Sequence, residues 1–149
     1  MKVLVLGKAT EQSESGAFGP AEEFVAMDRF NKELVEAGVL LAADGLQPSS
    51  KGKRVAFDAD GTTRVIDGPF AETKELVAGF MVWEVASMDE AVEWVRRSPL
   101  RGGEVELRKI LDAEDFADSF PAEIAAAEQE GSPRPGRRSR RSGGSSPPG

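Results

Sequence analysis

The 149-residue chain contains no cysteine, no histidine and no tyrosine. Those absences exclude much chemistry. Without a thiolate or an imidazole there is no Cys or Ser–His nucleophile system, no histidine proton shuttle and no Cys/His zinc site. Disulfides cannot form, which suits a reducing compartment without demonstrating one. No run approaches the ~20 apolar residues of a membrane span, and the Met1 end lacks the charged and apolar regions of a secretory signal. The length sits within the ~100–200 residues typical of one domain, so one soluble, cytoplasmic domain is expected. Phosphate loops are missing too: no Gly-rich loop ends in Lys-Ser/Thr, no G-x-G-x-x-G occurs, and Gly16-Ala17-Phe18-Gly19 alone is weak. Carboxylates are plentiful, but no spaced cluster singles itself out as an oxygen-only metal site, so neither metal nor cofactor is expected.

What the chain does have is acid, unevenly placed. It carries 26 acidic against 19 basic side chains, a net charge of −7. Residues 131–149 consist of five Gly, four Pro, five Ser and five Arg. Such a segment cannot offset its ordering entropy and reads as a disordered tail. The remaining residues 1–130 are net −12, which argues against nucleic acid as a ligand of the folded part. The tail's arginines can touch RNA, DNA or an acidic protein surface. The simpler reading is a solubilising extension, or one that folds back loosely on its own acidic domain. Ala122–Glu130 is Ala/Glu-rich and reads as a frayed helix, so the expected division is a domain over 1–120 and a tail segment over 121–149.

Within the body, Met1–Lys8 is a short β-branched run, apolar on both alternating faces: Val3 and Val5 on one, Leu4 and Leu6 on the other. Residues 9–20 are polar and read as a loop. Phe24, Met27, Phe30, Leu34 and Val35 then recur at helical spacing, and Gly38 follows as a C′ cap. Val39–Leu46 reads as a second strand, stopped near Pro48. Val55–Asp58 and Thr62–Ile66 flank an Asp60-Gly61 turn, the hairpin signal. A calcium loop is rejected there because no glutamate stands at the twelfth position. Leu76–Val85 is the most apolar strand. Ser87-Met88-Asp89-Glu90 is a capping box opening a helix whose Met88, Ala91, Val92, Trp94 and Val95 share one face, with Pro99 ending it. Val105–Ile110 is the last strand, and Phe116 and Phe120 are expected to pin a short closing segment.

This order, with the hairpin set aside, is β-α-β-β-α-β: an α+β, ferredoxin-like arrangement with an inserted β-hairpin. Two helices cover only one face of four strands. Residues 3–6 and 77–83 are apolar on both faces, and each wet methylene forfeits about 0.8 kcal/mol. A second copy of the sheet is the simplest cover, so a homodimer forming a dimeric α+β barrel is expected.

The run Asp67-Gly68-Pro69-Phe70-Ala71-Glu72-Thr73-Lys74-Glu75 resembles the signature of the DGPF branch of the YciI-like (YCII-related) family. Glu33–Leu40, Leu46-Gln47-Pro48, Gly79-Phe80 and Glu90–Trp94 extend the likeness over roughly residues 1–115. The resemblance implies a dimeric α+β barrel similar to that of muconolactone isomerase. It also implies small-molecule enzymology through a histidine and an aspartate, but this chain has no histidine to carry that pair over. Many DGPF relatives are fused to, or encoded beside, extracytoplasmic-function sigma factors, which implies such a sigma factor as a partner.

Asp67 is the leading candidate for chemistry, since a carboxylate beside a rigid Gly68-Pro69 turn can act as a general base at a cleft mouth. The structural alternative is that Asp67 bonds turn amides while Phe70 plugs the core. Lys74 is the nearest cation, able to pair with Asp67, orient an anionic ligand or simply hydrate. Glu84 interrupts an apolar strand on the face of Phe80 and Val82, and a structural ion pair with Arg108 is the favoured account. Glu106 reads as an edge residue, and Trp83 and Trp94 as core. The ligand-binding set is thus Gly68, Pro69, Phe70, Lys74, Glu84 and Arg108. Two functions follow. One is an accessory domain binding a small ligand or a protein. The other is a cofactor-free isomerase, lyase or hydrolase of small carbonyl compounds with Asp67 as acid/base.

Overall fold

A computed structural model describes residues 1–71 and 75–117. Lys74, Phe120, the Ala/Glu-rich segment and the arginine tail lie outside them. The chain divides into two units, Met1–Leu111 and Asp112–Gly149.

In the first unit the strands are β1 (Lys2–Lys8), β2 (Leu40–Gly45), β3 (Lys53–Phe57), β4 (Thr63–Asp67), β5 (Val77–Glu84) and β6 (Val105–Lys109). Its helices are α1 (Glu11–Glu14), α2 (Ala21–Glu36) and α3 (Met88–Arg97). Four strands form one antiparallel sheet in the order β2-β5-β1-β6, and β3 and β4 form a separate hairpin. The fold is α+β with an antiparallel sheet and a β-hairpin.

Local chemistry explains where these elements stop. Gly38 takes φ +73°, its N–H donates to the Val35 carbonyl, and Val39 N–H reaches back to Leu34 at 2.9 Å. That is a Schellman cap, which satisfies carbonyls left over at the end of α2. The Asp-Gly turn closes as expected, with Gly61 at φ +87° and Asp58 N–H bonded to the Thr62 carbonyl. Ser87 Oγ accepts from Glu90 N–H at 3.1 Å, while the Glu90 carboxylate reaches Ala86 N–H rather than Ser87. One short element was not expected: α1 interrupts the polar 9–20 stretch. Thr10 and Ser13 cap each other there, each side-chain oxygen accepting the other's backbone N–H.

Alternation along the strands sorts the sheet into two faces. Val3, Val5 and Trp83 point to the helices and are buried with Phe30, Leu34 and Ala91. Leu4, Leu6, Phe80 and Val82 point the other way and are only half-buried. The face expected for α2 is split. Phe30 and Leu34 are buried and Met27 is partly so, whereas Phe24 is 55% and Val35 60% exposed. Phe24 stays open because the sheet beneath it lacks side chains: Gly7 and Gly79 are paired across β1 and β5.

In the second unit, α4 (Ala113–Ala117) contains Phe116 and begins with a reciprocal cap. Asp112 Oδ1 accepts from Glu114 N–H at 3.1 Å, and Asp115 Oδ2 accepts from Asp112 N–H at 2.9 Å.

Candidate ligand-binding site

The 67–71 loop is built by what surrounds it. Gly68 lies so close to the backbone at Ser49 that an added Cβ would overlap the Ser49 carbonyl oxygen. Its N–H donates to the Gly52 carbonyl at 3.0 Å. Phe70 N–H donates to Ser49 Oγ at 3.2 Å. Ser49 in turn gives both its N–H and its O–H to the Glu14 carboxylate. Arg54 lies 3.9 Å over the Phe70 ring, a cation–π contact. The loop is therefore clamped to the 3-10 turn at Ser49–Lys51 and, through Glu14, to α1.

Asp67 ends β4 directly opposite Lys53, and the two side chains form an exposed ion pair. A hollow of about 430 Å³ opens beside the loop, lined by Phe70, Pro48 and Leu76 with Arg54, Glu14 and Glu75; Asp67 is not among its lining residues. Gly68 and Pro69 hold the turn outside it, and their peptide bond is cis.

Glu84 and Arg108 are not brought together. Glu84 is opposite Lys2 and Arg108 opposite Leu4, so the pair is offset by two residues with β1 between them. Glu84 instead receives the Met1 ammonium at 3.2 Å, and Arg108 pairs with Glu106 at 3.4 Å. Glu106 is bound from the other side by Lys8, at 3.7 Å.

A larger cavity lies elsewhere, between α2 and the helix-facing side of the sheet. It measures about 480 Å³, within the range of small-molecule sites. Gly7 and Gly79 form part of its floor, with Phe24, Met27, Met81 and Leu100 around it. Asn31 of α2 borders it, and Asn31 Oδ1 is buried without a hydrogen-bond partner. Such an orphan costs roughly 1–3 kcal/mol unless something supplies a donor. A narrow inner hollow of about 20 Å³ extends from it to Trp83, whose indole nitrogen is likewise buried and unpartnered.

Charge chemistry in the described part is plain. The Asp60 carboxyl is held below its ordinary value by hydrogen bonds from the Thr62 hydroxyl and backbone N–H. It belongs to the hairpin turn. Among the described residues no three acidic side chains converge as a metal site, and no helix is long and apolar enough to cross a membrane.

The cavity was missed in the sequence because neither glycine is informative alone. The available signal was a glycine in each of two apolar strands, at Gly7 and Gly79; strand glycines mark bulges or open backbone. The pairing register shifts between Gly7 and Lys8.

Similarity to known proteins covers parts of the chain. An uncharacterized protein of Rhizobium meliloti (strain 1021), R00369, is 43% identical over 65 residues, covering 44% of this chain. The match spans 52% of that relative's own length. A solved structure, the 5-chloro-2-hydroxyhydroquinone dehydrochlorinase of Burkholderia phenoliruptrix AC1100, covers 75% of this chain and 95% of its own at a TM-score of 0.43 and 15% identity. The family model described as the YCII-related domain matches residues 1–114, and the chain belongs to that family.

Proposed function

We propose that this YCII-related chain is a dimeric, ferredoxin-like domain that binds a small, largely apolar ligand in the cleft between α2 and the sheet. One observation carries the reading. A cavity of about 480 Å³ has largely apolar walls, with Asp44 the one charged residue in its lining, and a floor where Gly7 and Gly79 carry no side chain. An apolar body fills such a space. The half-buried face formed by Leu4, Leu6, Phe80 and Val82 supports pairing of two sheets back to back in a barrel. In its accessory form the domain would relay occupancy to a protein partner, with an extracytoplasmic-function sigma factor the class that the DGPF resemblance points to. The enzymatic reading would require Asp67 to exchange its Lys53 pair for a substrate.

Octanamide is a suitable probe, since it joins an apolar chain to an N–H donor. Calorimetry should show saturable binding to the wild type. Gly7→Val should abolish it while raising the melting temperature, because a Cβ at Gly7 meets only the Gly79 carbonyl, at an ordinary 3.6 Å. A variant that binds as the wild type does, or a wild type that binds nothing, would defeat this reading.

A further inference from the structure

Register lays out the charges on the sheet face turned away from the helices. Asp44 on β2 faces Phe80 on β5, Phe80 faces Leu6 on β1, and Leu6 faces Glu106 on β6. The next row along the strands is Ala42, Val82, Leu4 and Arg108. Apolar side chains on the two middle strands are thus bordered by charge at both edges of the sheet. Asp44 alternates with Ala43 and Gly45, which border the cleft, so its side chain turns outward with Phe80. Its carbonyl oxygen is what reaches the cleft floor, 3.2 Å from where a Cβ on Gly79 would stand.

The two edges differ in sign. Towards β6, Lys8 and Arg108 share one carboxylate, that of Glu106, at 3.7 and 3.4 Å, which leaves one positive charge in excess. Asp44 is the one charged residue of β2, and among the described residues its carboxylate has no ion pair or hydrogen bond. That edge is left with one negative charge. Lys109 turns to the helix side, opposite Val3. Lys2, Glu84 and the Met1 ammonium stand at one end of the middle strands and belong to neither edge.

Two copies can lay these faces together about a two-fold axis in two ways. With the axis across the strands, each edge meets the same edge of the partner, acid against acid and cations against cations. With the axis along the strands, each β2 edge meets the partner's β6 edge, and unlike charges meet twice by symmetry.

We infer that this face takes a second copy of the chain set with its β6 edge over β2, so that Asp44 accepts from the partner's Arg108 and Arg108 donates to the partner's Asp44. The inference rests on the paired-sheet reading above and adds the arrangement that reading leaves open. Charge decides it, because like charges facing across an interface penalise the wrong register and opposite ones fix the right one. The guanidinium presents a planar fork suited to a carboxylate. The same arrangement brings the outer edges of the sheet, β2 and the partner's β6, side by side. Eight strands then close into a barrel with no open edge.

The chain has no cysteine, so single thiols report cleanly. Full-length Asp44→Cys and Arg108→Cys are mixed, left to exchange subunits and treated with a bismaleimide of about 10 Å reach, the spacing of packed sheets. The mixture should give a covalent dimer joining position 44 of one chain to position 108 of the other, and neither variant alone should cross-link. Asp44→Cys linking to itself overturns the inference and leaves the paired-sheet reading standing. A mixture that gives no covalent dimer, while light scattering shows the wild type dimeric, does the same. Charge supplies a second readout. Asp44→Arg should raise the dimer dissociation constant about tenfold or more at low salt, and adding Arg108→Asp should bring it back to within about threefold of the wild type. Equal dimerisation of Asp44→Arg and the wild type also overturns the inference. A monomeric wild type removes both readings.

Discussion

Replacing Gly68 by alanine adds one methyl group, and the structure says where it goes. The new Cβ would overlap the Ser49 carbonyl oxygen, a backbone atom that no rotamer change can move aside. Either the 3-10 turn or the 68–70 loop must shift. The turn is tied to Glu14 through both Ser49 donors, so the loop is the part that yields. Its displacement breaks the Gly68–Gly52 and Phe70–Ser49 hydrogen bonds, about 1 kcal/mol each. The Arg54–Phe70 contact at 3.9 Å goes with them, at about 0.5–1 kcal/mol. A loss of about 3 kcal/mol follows, within the range seen for overpacked sites. For a domain of this size that lowers the melting temperature by about 10 °C. Gly45→Ala is the control: the same methyl group meets nothing within 4 Å there, and the backbone φ is not positive. It should be neutral or stabilising by up to about 1 kcal/mol through the unfolded state. Circular dichroism melts of the two variants decide the matter. If both melt within about 2 °C of the wild type, the steric account of the turn is wrong.

Other outcomes follow from the same contacts. Glu14→Ala strips Ser49 of both acceptors and should cost about 2 kcal/mol in urea denaturation, and Ser49→Ala should cost about as much because it removes one of those bonds and the acceptor of Phe70 N–H. Thr62→Val removes the hydroxyl that most lowers the Asp60 pKa, so carboxyl NMR should show that pKa rising toward the ordinary value. In the wild type this group favours the folded state above its unfolded pKa and loses that contribution as pH falls through the folded one. Leu6→Asp places a carboxylate in the middle of the half-buried face and should convert a dimer to monomer in light scattering. A wild type that is monomeric at micromolar concentration would refute the paired-sheet proposal instead.

Much of the fold was legible because its causes are local. The β1 alternation, the α2 periodicity ended by Gly38, the Asp60-Gly61 turn and the Ser87 cap each depend on a few neighbouring residues, and each formed. The short α1 helix escaped because its cap is a Thr–Ser pair in a polar stretch that otherwise looks like loop. Side-chain pairing was less legible. Glu84 and Arg108 looked complementary, yet register places them two residues apart on non-adjacent strands.

By itself, then, the chain dictated its element order, its acidic character and the lack of thiol or imidazole chemistry, since composition and short-range pattern suffice for these. Tertiary structure alone decided that Gly7 meets Gly79 and that Ser49 makes a side chain at Gly68 intolerable. Each of these depends on residues distant in sequence meeting in one register, and a register is a property of the packed sheet, set when its buried face chooses which side chains to hide.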